Sequence, residues 1–389
     1  MKRKPFFSEA SAALASGLSL AVVMFFAGCG YNGDERETSV KNSTNPPFFE
    51  ISDPGTEPEA PAKKEALAEA VPSKVYFTSE ITPAGLMAAY NALEKKPSGA
   101  NIASGKVAVK LHSGEGPNSN YLRPDFIKEL VQSVNGTIVE ANTAYGGNRA
   151  TTALHKQVMK DRGFTAIAKT DILDEEGSTS LPIPGGTRIT QNYVGSHFTN
   201  YDYYVVLSHF KGHIMGGFGG AVKNISIGIA STEGKHWIHS AGKSRTNWQA
   251  NNDQDKQEAF LESMAEAGKS IVTHLNGNII YINVMNRISV DCDCFANPTE
   301  PDMHDIGILS SLDPIALDQA CVDLVNKAPD AQKRTLVKRM ADQKAIRVLE
   351  HGAAIGLGSR TYELDTIYPG TTSVLTPPRV VPPTRRTDL

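Results

Sequence analysis

The chain has little cysteine, only four residues among 389, at positions 29, 292, 294 and 321. This scarcity excludes a small scaffold held together by many disulfides. Basic residues are not in excess, since 39 Lys and Arg stand against 42 Asp and Glu. That balance argues against a nucleic-acid partner. The most apolar stretch, Ala12–Ala27, is shorter than the roughly 20 residues of a transmembrane helix.

The N-terminus resembles a bacterial export signal. Lys2, Arg3 and Lys4 form a basic segment, the apolar stretch follows, and small residues then precede Cys29. Small residues before a cysteine are similar to the lipobox of bacterial lipoproteins, which implies lipidation of Cys29. The sequence therefore predicts an extracytoplasmic protein anchored to a membrane, with a plain signal peptide or an anchor helix as alternatives.

Composition divides the chain into four parts. Residues 1–29 are the predicted signal, and residues 30–73 are polar and Pro-rich and predict a flexible tether with a short helix at Ala62–Ala70. Residues 363–389 form a second Pro-rich segment. The intervening residues 74–362 are long enough to bury a full core, as one domain or two lobes.

Within residues 74–362, predicted strands alternate with predicted helices. The strands are 75–78, 106–111, 136–141, 165–168, 203–207, 278–284, 306–310 and 361–364, and the helices are 83–93, 125–134, 151–162, 257–272, 314–325 and 331–350. Residues 172–198 are interpreted as a loop or hairpin. This order predicts an α/β fold with a mostly parallel sheet flanked by helices. Ligands of such sheets bind at the carboxyl ends of the strands.

One stretch, residues 207–240, has a composition that a stable core does not need. Its chemistry-bearing residues are His209, His213, Lys211, Lys223, Lys235, His236 and His239, with glycines at 216, 217, 219 and 220. Glycines let the backbone approach a ligand, while histidine and lysine supply proton carriers, metal ligands and anion contacts. The sequence predicts an active-site segment, with a tight sheet–helix crossing as the alternative for the glycines.

This stretch, with Cys292-Asp293-Cys294 and residues 305–325, is similar to domain-of-unknown-function family 362, whose members are often called iron–sulfur-centre proteins. Many members carry a cysteine-rich ferredoxin-like insert shortly after the stretch. This chain has no cysteine between Lys243 and Gly277. Because a cubane cluster normally needs four thiolates, we expect no iron–sulfur cluster and disfavour an electron-transfer role.

The same stretch also resembles a segment of the nickel-dependent lactate racemase family. The resemblance implies that Lys223 holds a cofactor or phosphate, that His239 binds metal and that His213 moves a proton. A divalent transition metal is thus a candidate cofactor.

A second group of candidate ligands comprises Cys292, Cys294 and His304. Thiolates and imidazole together suit a transition metal. A disulfide from one of these cysteines to Cys321 and a structural loop are the alternatives, whereas a disulfide within Cys292-Asp293-Cys294 is expected to be strained by the close spacing. Cys321 itself falls at an apolar helix position, which favours a core role.

These patterns predict a membrane-anchored enzyme that carries out metal- or cofactor-assisted acid/base chemistry on a small anionic molecule. A non-catalytic metal- or metabolite-binding envelope protein is the alternative. The predicted catalytic residues are His213, Lys223 and His209; the predicted cofactor-binding residues are Gly217, Gly219, Gly220, Lys223, Asn224 and Lys110; the predicted metal ligands are His239, Cys292, Cys294 and His304. Asp313 before Pro314 predicts a helix N-cap, and Asp318 a cap or surface residue.

Overall fold

The computed structural model describes residues 72–329 and 333–370, together with the backbone of residues 379–381. The predicted signal, the Ala62–Ala70 helix and all but the last two residues of the predicted tether lie outside these ranges. Ser73, predicted as the end of the tether, is instead the first residue of a strand. No helix in the described ranges is long and apolar enough to cross a membrane.

Thirteen strands are described. They are β1 (Ser73–Thr78), β2 (Val107–Lys110), β3 (Thr137–Glu140), β4 (Thr170–Ile172), β5 (Ser178–Pro182), β6 (Gln191–Gly195), β7 (Tyr203–His209), β8 (Lys211–His213), β9 (Gly217–Gly219), β10 (Ile279–Met285), β11 (Gly307–Ser311), β12 (Tyr362–Thr366) and β13 (Arg379–Val381). Nine form one sheet in the order β13-β12-β1-β11-β10-β7-β2-β3-β4. Two small hairpins, β5–β6 and β8–β9, stand apart from it. One sheet thus runs through the described fold, so the alternative of two lobes is not observed.

The helices are α1 (Pro83–Ala92), α2 (Gly99–Ser104), α3 (Pro124–Ser133), α4 (Thr152–Asp161), α5 (Phe164–Ile167), α6 (Ala221–Ser226), α7 (Thr232–His239), α8 (Lys256–Leu275), α9 (Pro314–Lys327), α10 (Arg334–Asp342) and α11 (Ile346–Ala354). They cover both faces of the sheet. One core holds Leu86, Ile127 and Phe164 from α1, α3 and α5. The other holds Leu261 and Ile315 from α8 and α9. The predicted α/β class, a mostly parallel sheet between helices, is confirmed.

The strand order places a switch point between β2 and β7. From β2 the chain proceeds through β3 to β4 on one side, whereas β7 and then β10 lie on the other side. All these neighbours are parallel, and Lys110 of β2 pairs with Val206 of β7. Helices diverge at such a point and leave a crevice beyond the carboxyl ends of the two strands. The functional site is therefore expected beyond Lys110 and His209.

Two sequence-based elements differ from the structure. The strand predicted at residues 165–168 is instead helix α5, entered through Gly163 at φ 81°, and the strand begins at Thr170. Fully buried Phe164 anchors that turn in the core. The single helix predicted at residues 331–350 is instead two helices, α10 and α11, and the second continues to Ala354. The break lies at Lys344, with φ 51°, where the amide of Ala345 bonds the carbonyl of Met340.

The predicted Pro-rich tail begins too early, because its first four residues, 363–366, belong to strand β12. Three further residues of it form strand β13, which pairs antiparallel with β12.

Candidate functional site

A cavity of about 390 Å³ lies beyond the carboxyl ends of β2, β3 and β7. That volume suits a small molecule. Its lining brings together residues from the two groups of candidates found in the sequence. From those groups and the residues between them it contains His209, His213, Gly219, Gly220, Lys223, Asn224, His239, Cys292 and Cys294. The other lining residues include Lys110, His112, Glu140, Tyr145, Arg149, Lys211, Lys235, Trp248 and Phe295. The switch point therefore positions most of the predicted site residues around one space.

The floor of the cavity contains a buried ion-pair network. Lys110 Nζ lies 2.9 Å from Glu140 Oε2, and Arg149 Nη1 lies 3.5 Å from Glu140 Oε1. Arg149 also donates from Nε to Glu115 at 3.0 Å. Burial would raise the pKa of Glu140, but the charges of Lys110, His155 and Arg149 outweigh it and lower that pKa to about 2. Lys110 is thus a buried member of the site and not a solvated strand end.

A second network ties the cysteine loop to the end of β7. Asp293 accepts from His209 Nδ1 at 3.0 Å and from Lys211 Nζ at 2.6 Å. His209 Nε2 donates to the carbonyl of Asn286 at 2.6 Å. Both ring nitrogens of His209 are therefore occupied, so it has no nitrogen to offer a substrate. We assign His209 to positioning the loop instead of to catalysis.

Two lysines in the cavity have no ion pair within the described residues. They are Lys223 on α6 and Lys235 on α7, whose Nζ donates to the carbonyl of Ala230. Burial lowers the pKa of Lys223 to about 7, and the positive charges of Lys211 and Lys110 add to the effect. Burial also lowers the pKa of Lys235 to about 8. Both lysines therefore titrate near neutral pH.

Hydrogen bonds determine which ring nitrogen of each cavity histidine carries the proton and which one is left to interact with a ligand. The amides of Met215 and Gly216 donate to His213 Nδ1 at 3.2 and 2.9 Å, so the neutral ring carries its proton on Nε2. Burial lowers the pKa of His213 well below its usual value, and the charge of Lys223 adds to this. His239 is the opposite case, because its Nδ1 donates to the Lys235 carbonyl at 2.7 Å and leaves Nε2 as an acceptor. Burial lowers the pKa of His239 to about 4, so its ring is neutral at pH 7.

The glycine segment forms hairpin β8–β9 followed by α6. The amides of Ala221 and Val222 at the start of α6 donate to Asp318 at 2.7 and 2.9 Å. A phosphate cradle on these amides is therefore excluded, and Asp318 is a fully buried cap and not a surface residue. A Cβ on Gly220 would lie 2.3 Å from Asp318 Oδ1. The glycine at this position lets the carboxylate reach the helix end.

Two other predicted cofactor-binding residues differ in their placement. Gly217, at φ 76°, does not line the cavity; a Cβ there would lie 2.4 Å from the Cβ of Ala345, so this glycine serves packing. Asn224 does line it, and its amide donates to the carbonyl of Lys110 and to Ser208 Oγ across the switch point.

Cys292 and Cys294 form a disulfide with each other, contrary to the expectation from their close spacing. The alternative of a bridge to Cys321 is wrong, because Cys321 is a free cysteine buried in the core. The core role predicted for Cys321 is confirmed. The ligand atoms of His213, Cys292 and Cys294 lie within 4.8 Å of one another. Two thiolates and an imidazole resemble an open zinc site, but the sulfurs are bonded to each other. His213 accepts from two amides at Nδ1 and carries its proton on Nε2, so neither ring nitrogen is a free ligand. As they stand, these residues do not fit a metal ion, and we derive no step through one.

The predicted set of metal ligands is not assembled. His304 is exposed on the loop before β11 and does not line the cavity. His239 lines the cavity but lies outside the cluster of His213 and the two cysteines. The expectation that no iron–sulfur cluster binds stays a prediction.

The sequence placed Lys235 in the predicted active-site segment without a specific role and did not single out Trp248 and Phe295, yet all three line the cavity. A signal existed for Lys235, because Ser231 is an N-cap residue whose side chain accepts from the amide of Gly234. Recognising α7 would have placed Lys235 and His239 on one face, four residues apart. Trp248 lies in an irregular segment between α7 and α8 that carries no comparable signal.

Comparison with known proteins assigns the chain to a family. No curated protein sequence is significantly similar to the chain. Among solved structures, the lactate racemase apoprotein from Thermoanaerobacterium thermosaccharolyticum is similar, with 16% identity and a TM-score of 0.39 over 66% of this chain. The chain spans 57% of the length of that racemase. The profile of the family described as "Domain of unknown function (DUF362)" matches residues 107–323. That range is more than half of the chain and contains every described residue that lines the cavity. The protein belongs to the DUF362 family, as its motifs predict.

Proposed function

We propose that the protein is an enzyme that binds a small anion in the cavity and transfers a proton on it, with Lys223 as the acid–base group. The observation that carries the proposal is a cavity lysine with no ion pair in the described part of the chain and a pKa of about 7. An acid–base catalyst works best when its pKa lies near the working pH. A surface lysine with a purely structural role would keep the ordinary pKa of about 10.4 and remain protonated at pH 7.

The charge of the lining supports an anionic ligand. Among the described residues that line the cavity, Glu140 is the one carboxylate, and the lysine and arginine side chains number five: Lys110, Arg149, Lys211, Lys223 and Lys235. Glu140 already forms an ion pair with Lys110, and the nearby Asp293 forms one with Lys211. A bound anion would supply the negative partner that Lys223 and Lys235 lack within the described residues, and it would raise the pKa of each lysine.

The two neutral histidines suit complementary roles beside Lys223. His213 presents an N–H at Nε2, which can donate to a substrate oxygen without changing its own protonation. His239 presents a lone pair at Nε2, which can orient a substrate hydroxyl. Lys223 then takes a proton from the bound molecule in its uncharged form and returns it as an ammonium. In this proposal His213 assists the transfer, and Lys223 carries the proton.

Lys223→Met should weaken the binding of sulfate by about tenfold to a hundredfold at pH 6.5, because a hydrogen bond to a charged group contributes roughly 1.5–3 kcal/mol. Isothermal titration calorimetry on the purified protein measures this. Lys128→Met is the matched control, since Lys128 is exposed on α3 and lies outside the cavity. Equal sulfate affinity in wild type and Lys223→Met would refute the anion site.

Turnover separates an enzyme from a binding protein with the same cavity. In D₂O, NMR of a panel of small 2-hydroxy and 2-keto carboxylates should show exchange of carbon-bound hydrogen in at least one of them. Lys223→Arg should keep sulfate binding but lose that exchange, since arginine does not give up its proton near neutral pH. Sulfate binding without exchange across the panel would favour a non-catalytic metabolite-binding protein.

We also propose that the folded domain is anchored to a membrane, outside the cytoplasm, by a lipid on Cys29. The support is the sequence alone: a basic segment, an apolar stretch and small residues before the cysteine. Acyl chains stabilise membrane association by burying CH₂ groups.

Cys29→Ser should move the protein from the membrane fraction to the soluble extract of a bacterial host, because no acyl chain can be attached. Fractionation with labelled palmitate measures the change, and Cys294→Ser, which keeps Cys29, is the control. Retention of the label by the Cys29→Ser variant would contradict the anchor.

A further inference from the structure

The mouth of the cavity carries an unusual share of the exposed apolar surface. Seven large apolar side chains in the described ranges are at least 36% exposed, and four of them line the cavity: Tyr145 at 47%, Ile214 at 50%, Trp248 at 40% and Phe295 at 36%. Exposed apolar residues scattered singly over a surface need no explanation. Four gathered around one opening indicate a binding surface.

These four residues, which we call the apolar rim, come from four separate segments. Tyr145 follows β3, Ile214 lies in the β8–β9 turn, Trp248 lies between α7 and α8, and Phe295 follows Cys294. No single amphipathic element could place them together, so the fold itself brings them to the opening. Tyr145 is also held by a hydrogen bond of 3.0 Å from Arg149. The rim is thus connected to the charged floor.

The floor and the rim differ in chemistry. Lys110, Arg149, Lys211 and Lys235 are each at most 7% exposed, while the rim residues are 36–50% exposed. A ligand that filled both would place an anionic group deep in the cavity and an apolar body at the mouth. Three of the four rim side chains are aromatic, and aromatic rings pack best against flat partners in stacked or edge-on contacts.

We propose that the natural ligand is a small anion attached to a flat, aromatic body, with the anion on the lysines and the ring between Trp248, Tyr145 and Phe295. This inference rests on the proposed anion-binding function and adds the class of molecule. The rim surrounds a cavity of about 390 Å³, which is the size of a small-molecule site, whereas a protein partner or a membrane would need a broad, flat surface.

Calorimetry with matched phosphate monoesters tests the proposal on the purified protein. Phenyl phosphate should bind at least about tenfold more tightly than methyl phosphate, a difference of about 1.4 kcal/mol. Trp248→Ala should remove most of that preference, because the affinity for phenyl phosphate should fall much more than the affinity for methyl phosphate. Trp248→Phe should keep the preference, and Tyr368→Ala, which removes an exposed ring outside the cavity, should have no effect.

Each other outcome has a defined meaning. Equal affinity for phenyl and methyl phosphate overturns the aromatic ligand but leaves the anion site intact. Tighter binding of n-hexyl phosphate than of phenyl phosphate overturns the flat body in favour of a flexible chain. Trp248-dependent binding to vesicles of anionic phospholipid, without a preference for phenyl phosphate, would make the rim a membrane contact and overturn the proposal. Failure of every phosphate ester and of sulfate to bind would overturn the proposed function, and this inference with it.

Discussion

Asp293→Ala should lower the free energy of unfolding by about 3–5 kcal/mol at pH 7, the usual effect of removing one partner from a buried ion pair. Asp293 is 1% exposed and accepts from His209 and Lys211, which are also buried. The variant would leave both partners inside the protein without a carboxylate. It would also release the loop that carries Cys292 and Cys294 from the end of β7. Urea denaturation followed by circular dichroism measures the loss.

The control is Asp253→Ala, which removes an exposed carboxylate that pairs with Lys243, where both side chains are 51% exposed. A surface pair of this kind contributes about 0–1 kcal/mol. A loss of less than 1 kcal/mol in Asp293→Ala would mean that the network does not hold the loop.

The effect of Asp293 should also depend on pH in a defined direction. Burial would raise the pKa of Asp293, but His209 and Lys211 outweigh it and hold that pKa well below its usual range. A carboxylate whose pKa is lowered by folding contributes stability above its unfolded pKa of about 3.9, and this contribution is lost as the pH falls through the folded value. The difference between wild type and Asp293→Ala should therefore shrink below about pH 4.

Sulfate affinity should fall by about tenfold for each pH unit above 7, because only the ammonium form of Lys223 attracts the anion and each binding event then requires one proton. The folded pKa of Lys223 lies near 7, so the charged form is lost as the pH rises through that value. Sulfate keeps its charge over this range, which excludes titration of the ligand. Calorimetry between pH 6 and 9 measures the profile.

Lys235 adds to the same profile at higher pH, since burial lowers its pKa to about 8. In Lys223→Met the fall that begins near pH 7 should disappear, and the weaker remaining binding should decline only above about pH 8. A profile that is flat from pH 6 to 9 in the wild type would show that neither lysine titrates in this range.

Much of the fold could be predicted from the sequence because local patterns of residues determine where its strands and helices form. The alternation of apolar strands and helices gave the parallel sheet, and Asp313 before Pro314 was correctly identified as the N-cap of α9. The break between α10 and α11 was missed because it depends on the left-handed conformation of Lys344 within a run of good helix formers.

The site could be predicted only in part, since its decisive contacts join distant segments. The glycine segment and the cysteine loop were each identified, but no local pattern placed His213 beside Cys292 and Cys294. Nor could the sequence show that Asp318, 97 residues away, accepts from the amide of Ala221 and so fills the start of α6. A histidine's role depends on which ring nitrogen is free, and spacing along the chain does not determine that.

The titration of Lys223 tests the central claim most directly. Reductive methylation with ¹³C-formaldehyde labels the lysines, and comparison with Lys223→Met identifies the resonance of this one. We expect the Lys223 resonance to titrate with a midpoint near pH 7, and we expect that midpoint to rise when sulfate is added, because the bound anion stabilises the ammonium form. A midpoint near the ordinary lysine value of about 10.4, unchanged by sulfate, would contradict it.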